Sequence, residues 1–240
     1  MENKQSAEQT EHFGIGRTKW RITILVIFLF LAVLGSFLSL TKGSSIISIK
    51  EITDILLNPG DDPRSQIIWN IRMPRTIVGA LVGINLSLSG AILQAIMRNP
   101  LADPHIIGIS SGAGLAGVVI MILFPAMEYL ITPVAFIGAM LAAVCIYILA
   151  WKNGIKPVRI ILAGVAVSAF LGAGISGLMI FYSDRVHGAL MWMVGGLAAR
   201  SWPHVNIILP YAVIGLILAL ASAAYLNILQ LGDEMARGLG

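Results

Sequence analysis

The sequence contains few charged residues. Asp, Glu, Lys and Arg make up 12% of its 240 residues, whereas Ala, Val, Ile, Leu, Met, Phe, Trp, Tyr and Cys together make up 57%. Ordinary soluble domains carry about 25% charged residues. Because so few charges cannot cover the surface of a water-soluble globule of this length, the composition excludes a soluble protein and predicts an integral membrane protein.

Cysteine and histidine are scarce as well. The single cysteine, Cys145, lies inside an apolar run, which excludes a disulfide within the chain and a cysteine-ligated metal site. His105, His187 and His204 lie near the ends of apolar runs without metal-ligand spacing. The net charge of +4 comes from basic residues placed singly or in pairs at such ends rather than in a patch. We therefore expect no metal site and no nucleic-acid partner.

Long charge-free runs dominate the rest of the chain. A membrane helix needs about 20 mostly apolar residues, and six segments qualify: 22–41, 76–97, 106–127, 129–151, 160–183 and 204–228. They predict an all-α fold, a polytopic bundle of six transmembrane helices over residues 21–230, between a tail at 1–20 and a polar stretch at 231–240. The segment Leu190–Ala199 is too short to cross and predicts a re-entrant or interfacial helix.

Asp, Glu, Lys, Arg and His are absent from the first five runs. Such residues mark proton relays and ion-coupling sites in membrane proteins, so their absence disfavours an ion-coupled secondary transporter, which stays as the alternative class. The sequence also lacks a glycine-rich phosphate loop, a Ser–His–Asp set and paired carboxylates. We therefore expect neither an enzyme nor a cofactor bound by this chain.

Small and polar residues occur inside the spans. Four pairs of small residues have the four-residue spacing that lets helices approach closely: Gly79 and Gly83, Gly108 and Gly112, Ala173 and Gly177, and Ser168 and Gly172. The second span carries Asn85, Ser89 and Gln94, and polar groups in lipid must face protein or a water-filled path. Two interpretations stay open for these three residues: hydrogen bonds between helices, or the lining of a translocation path.

The loop at 42–75 is long for a compact membrane protein. Its segment Ser48–Leu56 predicts a short capped amphipathic helix. The loop ends in Arg72-Met-Pro-Arg75, whose arginines either anchor the chain at the interface or dock an acidic partner. With the N-terminus in the cytoplasm, nine basic residues lie on the cytoplasmic side of the membrane and seven on the other, which is a weak bias. The flanks of the first span (Arg17, Lys19 and Arg21 before it, Lys42 after it) also favour a cytoplasmic N-terminus.

Four motifs together resemble the FecCD-type permease subunit of ATP-binding-cassette (ABC) importers for iron-siderophores, haem and cobalamin. They are Arg-Met-Pro-Arg-Thr at 72–76, Ser-Gly-Ala-Ile-Leu-Gln-Ala-Ile-Met-Arg-Asn-Pro-Leu-Ala-Asp-Pro at 89–104, Ile-Leu-Ala-Gly-Val-Ala at 161–166, and Leu-Gly-Asp-Glu-Met-Ala-Arg-Gly-Leu-Gly at 231–240. The resemblance covers nearly the whole chain after the tail. It implies a multi-pass protein of the bacterial cytoplasmic membrane with its N-terminus in the cytoplasm.

The resemblance implies partners and a cargo. The partners are a pair of ABC ATPase subunits that use the ATP, an extracytoplasmic substrate-binding protein, and a second permease copy or a sister permease. The cargo is a ferric siderophore, with cobalamin and haem as alternatives. Family members have about ten spans of roughly 20 residues each. We therefore expect that residues 1–240 are part of a longer chain and do not transport alone.

The resemblance also implies residue roles. Arg72 and Arg75 match arginines that dock the binding protein. Asn99, Leu101, Pro157 and Val158 match positions near the cytoplasmic gate. The start of the ATPase-coupling loop is matched by residues 231–240, with contacts expected from Leu231, Gly232, Asp233, Glu234, Arg237 and Gly238.

Overall fold

The computed structural model describes residues 2–43, 46–152, 154 and 156–230, and every element in that part of the chain is a helix. This confirms the all-α prediction. The α-helices are α1 (Glu2–Thr41), α2 (Ile49–Leu57), α3 (Pro63–Ile67), α4 (Met73–Met97), α5 (Pro104–Ile107), α6 (Ile109–Leu123), α7 (Ile131–Ala150), α8 (Pro157–Phe181), α9 (Val186–Val194) and α10 (Trp202–Gln230). A π-helical turn at Ile68–Arg72 precedes α4, and short 3₁₀ turns occupy Pro125–Leu130 and Ser183–Arg185.

Five of these helical stretches are long and apolar enough to cross a membrane, within the described residues. They coincide with five of the six predicted spans and are Thr18–Thr41, Pro63–Met97, Pro125–Ala150, Pro157–Phe181 and Trp202–Gln230. The helical character of these segments follows from their length and apolar composition, since in lipid a helix satisfies its own backbone groups.

The remaining predicted span, 106–127, is not one continuous helix. Gly108 has a left-handed backbone (φ +86°) that separates α5 from α6. Pro125 begins a 3₁₀ turn just after the other end of α6. The 15 residues of α6 therefore rise only about 22 Å, less than the roughly 30 Å of a bilayer core.

Two compact units divide the chain: residues 1–77 with 199–202, and residues 78–198 with 203–240. The core of the first unit is a cluster of five buried residues: Leu40, Ile47, Ile52, Ile55 and Ile68. The amphipathic helix α2 supplies two of them, and the Ser48 hydroxyl accepts a hydrogen bond from the Glu51 backbone N–H at 3.3 Å. The capped amphipathic helix predicted from the sequence is thus confirmed.

The second unit is held together by close helix contacts. A Cβ atom on Gly112 of α6 would lie 2.4 Å from the carbonyl oxygen of Gly138 in α7, and a Cβ on Gly138 would lie 2.5 Å from that of Gly112. A Cβ atom on Gly164 of α8 would likewise lie 2.4 Å from the Ile107 carbonyl oxygen. The expectation of close helix contacts is confirmed at Gly108 and Gly112, where only a residue without a Cβ fits, whereas nothing lies within 4 Å of a Cβ built on Gly83, Gly172 or Gly177.

The short helix predicted at 190–199 begins earlier, as α9 at Val186, and ends at Val194. Gly195 and Gly196 have positive φ angles and terminate it, which a count of apolar residues does not detect. The indole of Trp192 fills the space beside Gly117 of α6. Arg185 donates from Nη1 to the Ile122 carbonyl at 2.8 Å and so caps the end of α6.

Candidate functional site

The two arginines at the start of α4 differ in their surroundings. Arg72 is buried, with 6% of its surface exposed, and its Nη1 donates to the Leu40 carbonyl at 2.5 Å. Its guanidinium also lies against Gly43, where a Cβ atom would be 2.9 Å from Nη2. Arg75 is exposed. Arg72 thus fastens the end of α1 to the π-helical turn, and Arg75 is the arginine of this pair that presents its charge at the surface.

The polar residues predicted along the second span, now in α4, bond mainly to their own helix. Asn85 donates from Nδ2 to the Leu81 carbonyl at 2.8 Å, and Ser89 donates to the Leu86 carbonyl at 3.0 Å. Asn85 also lines a cavity of about 320 Å³ with residues of α7 and α10, among them Phe136 and Tyr211. These helices therefore border a small open space whose exposed lining is apolar, so Asn85 adds no polar surface to it.

The third polar residue of that span, Gln94, has a different partner. Its Nε2 donates to the Pro100 carbonyl at 2.9 Å and so ties α4 to the turn that follows. We define the Asn–Pro turn as residues 98–103. Inside it, the Leu101 N–H bonds to Asn99 Oδ1 at 2.9 Å, and the Ala102 N–H bonds to the Asn99 carbonyl at 3.1 Å. Several hydrogen bonds thus make this turn rigid.

The backbone at Arg98 has an unusual conformation. Its φ angle is +50°, in the left-handed region that residues other than glycine rarely adopt. The Arg98 N–H bonds to the Ala95 carbonyl at 3.3 Å, and the Asn99 N–H bonds to the Gln94 carbonyl at 3.2 Å. These two bonds form a Schellman motif, in which the left-handed position is usually occupied by glycine.

The Arg98 side chain reaches the end of α10. Its Nε donates to the Leu229 carbonyl at 2.8 Å. The last carbonyls of a helix lack partners within the helix and carry partial negative charge, so a guanidinium there is favourable. The Asn–Pro turn and the C-terminal end of α10 are therefore joined through this side chain.

Two cavities lie beside Arg98. An apolar cavity of about 470 Å³ is lined by Met97, Arg98, Pro157 and Leu229 among others. A more polar one of about 460 Å³ is lined by Gln94, Arg98, Asn99, Pro100 and Gln230, together with Ala91. The structure thus brings Asn99 and Pro157 to the same end of the second unit.

The other two predicted gate residues are on the surface. Leu101 is 82% exposed and Val158 is 66% exposed. The predicted coupling residues at 231–240 lie outside the described residues. Among the residues that the structure describes, no group of three or more His, Cys, Asp or Glu side chains is placed to hold a metal ion.

The long apolar helices, the closely packed glycines and the rigid turns define a multi-span helical membrane protein. Comparison with known proteins identifies its family: residues 14–240 match the FecCD transport family. The chain belongs to that family, as its motifs indicated.

Several relatives are permease proteins of import systems. The chain is 36% identical to the Fe(3+)-citrate import permease YfmD of Bacillus subtilis over 95% of its length, covering 68% of that protein. It is 34% identical to the iron(3+)-hydroxamate permease FhuG of the same bacterium over 93% of this chain and 69% of that protein. It is 41% identical to the cobalamin permease BtuC of Halobacterium salinarum over 72% of this chain and 47% of that protein.

A solved structure shares the fold. An inward-facing conformation of a metal-chelate type ABC transporter matches with a TM-score of 0.75 and 27% identity, over 91% of this chain and 68% of that one. The chain thus spans about two thirds of the length of that structure and of the first two relatives named above.

Sequence reasoning did not single out Arg98 among the functional candidates. It appeared there only as a letter in a motif, because neither the left-handed backbone nor a bond to a residue 131 positions later is visible in a linear sequence. The available signal was a basic residue, in place of glycine, directly after a predicted helix.

Proposed function

We propose that this chain forms part of the permease subunit of an ABC importer that moves a ferric siderophore across the cytoplasmic membrane by alternating access. The observation that carries the proposal is the family match over residues 14–240. The chain itself supplies the membrane path and carries out no covalent chemistry. ATP is used by the ATPase partners, and the binding protein delivers the cargo.

The choice of cargo is supported by the relatives. Two of the import permeases similar to this chain are named for ferric citrate or ferric hydroxamate, whereas another is named for cobalamin. A ferric siderophore is therefore favoured over cobalamin and haem. Large chelates need a wide path with small and weakly polar walls, which agrees with α4, where Asn85 and Ser89 are flanked by apolar and small residues.

The docking role is assigned chiefly to Arg75. An exposed guanidinium can form bidentate pairs with a carboxylate of the binding protein. Arg72 helps to position Arg75, because its bond to the Leu40 carbonyl fixes the turn from which α4 begins. Loss of Arg72 would therefore act on docking through the position of Arg75.

The gate role is assigned to Asn99, Leu101, Pro157 and Val158 at the end of the second unit that carries the Asn–Pro turn. The cavities beside Asn99 and Pro157 give this end room to rearrange. The segment that begins at Leu231 follows α10 in sequence, and we assign it to contact with the ATPase. This arrangement requires that the N-terminus lie in the cytoplasm.

The test is transport by the complete importer in proteoliposomes. The full-length permease is reconstituted with its ATPase and binding protein, and uptake of ferric hydroxamate, ferric citrate, haem and cobalamin is measured with and without ATP. ATP-dependent uptake of a ferric complex is expected. Uptake of cobalamin or haem alone would contradict the cargo, and uptake driven by an ion gradient without ATP would contradict the class.

A further inference from the structure

Arg98 occupies a position that favours glycine. Its left-handed φ of +50° is one that a side chain makes unfavourable, and the Schellman hydrogen bonds around it would form equally well with glycine. A backbone outlier of this kind calls for a compensating role of the side chain. Here the side chain extends to the Leu229 carbonyl, at 2.8 Å from Nε.

This bond joins two regions that have roles in the proposed function: the Asn–Pro turn, which carries gate residues, and the end of α10, which precedes the proposed ATPase-coupling segment. On one side, Arg98 belongs to the Asn–Pro turn, which is made rigid by the bonds of Gln94 and Asn99. On the other side, Leu229 is the second-last residue of α10 and precedes Leu231 by two positions. The Arg98 side chain therefore joins the end of α10 to the turn.

We propose that Arg98 is a positioning residue for transport: it couples movement of the C-terminal end of α10 to the Asn–Pro turn and so to the gate residues Asn99 and Leu101. This inference rests on the proposed function. The rigid turn should move as one piece when α10 displaces Arg98. The hydrogen bonds inside the turn join residues that are close in sequence, and none of them involves α10. The two cavities next to Arg98 provide the space for that movement.

The test compares Arg98→Gly, Arg98→Met and Arg98→Lys in the full-length importer. Arg98→Gly removes the guanidinium while it improves the fit of the backbone, so a role limited to the turn predicts unchanged or better function. The matched control is Arg185→Met, which removes an arginine-to-carbonyl bond of the same length, 2.8 Å to Ile122, at the end of α6.

The readout is labelling of the Leu101→Cys variant by a membrane-impermeant thiol reagent, in a Cys145→Ser background. With Arg98 present, binding of a non-hydrolysable ATP analogue is expected to change the labelling rate. In Arg98→Gly and Arg98→Met this response is expected to be lost, and uptake per ATP hydrolysed to fall by between about twofold and about thirtyfold, as for loss of a coupling contact. Arg98→Lys should retain part of the response, and Arg185→Met all of it.

The outcomes separate the two proposals. An unchanged labelling response and unchanged uptake per ATP in Arg98→Gly would overturn the role of Arg98 while leaving the importer intact. Equal losses in Arg98→Gly and Arg185→Met would also overturn it, since the effect would then be general destabilisation. No ATP-driven uptake and no labelling response with Arg98 present would overturn the proposed function itself.

Discussion

The contact between α6 and α7 gives a stability prediction that can be worked from distances. A Cβ atom at Gly112 would lie 2.4 Å from the Gly138 carbonyl oxygen and 2.5 Å from the Cβ of Ala142. Ordinary van der Waals contact begins near 3.4 Å, so Gly112→Ala requires the two helices to separate by about 1 Å. The perturbation is thus a single methyl group placed against backbone atoms that cannot rotate away.

The expected magnitude follows from two opposing effects. Overpacking of a close contact costs about 1–3 kcal/mol, and the backbone atoms involved place this site at the upper end. Replacing glycine by alanine in a helix regains about 0.5–1 kcal/mol. The net destabilisation of Gly112→Ala is therefore about 2 kcal/mol. It lowers the unfolding midpoint by at most about 4–8 °C, because chains of 150–250 residues shift by 2–4 °C per kcal/mol and a longer chain shifts less.

Gly172→Ala is the matched control. Gly172 lies in α8, and nothing stands within 4 Å of a Cβ built there. Gly172→Ala should keep or slightly raise the unfolding midpoint, since only the gain in helix propensity applies. The assay is thermal unfolding of the full-length permease in detergent, followed by tryptophan fluorescence. An unchanged midpoint for Gly112→Ala, or an equal decrease for both variants, would refute the packing argument.

Three further predictions concern the site. Arg72→Met should lower the stability of the permease by about 1–3 kcal/mol, because it leaves the Leu40 carbonyl without this donor. Arg75→Met should keep the unfolding midpoint and weaken binding-protein affinity mainly at low salt. The same midpoint for both variants would contradict this difference between the two arginines. Gly108→Ala should impair folding, measured as yield of monodisperse protein, because its φ is +86° and a Cβ would lie 2.2 Å from Ser168 Oγ; a normal yield would contradict it. Gln94→Leu should cost about 1 kcal/mol through loss of the bond to Pro100 and speed thiol labelling of a cysteine at position 101, and an unaltered rate would show that this bond does not restrain the turn.

Hydropathy and capping patterns predicted much of the fold. The long apolar runs became helices because a membrane span must satisfy its backbone internally, a requirement that composition alone reveals. The helix at 49–57 was predictable because its cap and its apolar face are both written in adjacent residues such as Ser48 and Ile52. Local signals of this kind do not depend on the rest of the chain.

Backbone conformation and side-chain partners were not predictable in this way. Gly108 interrupts an apolar run without changing its hydropathy, so a run of residues 106–127 appears continuous although the helix is not. Arg72 and Arg75 look equivalent in the motif, yet one is buried against the Leu40 carbonyl and the other is exposed. Arg72 is the last residue of the π-helical turn at Ile68–Arg72, whereas Arg75 lies in α4, and the motif does not reveal this boundary.

The kinds of contact in the second unit determine which helices can move relative to one another. At Gly112 and Gly138, α6 and α7 meet backbone to backbone, and a slide along this contact would bring Cα and carbonyl atoms into collision. These two helices should therefore move as one body. The contact of α10 with the Asn–Pro turn is instead made by the side chain of Arg98, whose hydrogen bond to the Leu229 carbonyl links the turn to the end of α10. Movement during transport is thus expected of the turn together with the end of α10, and rigidity where glycines pack.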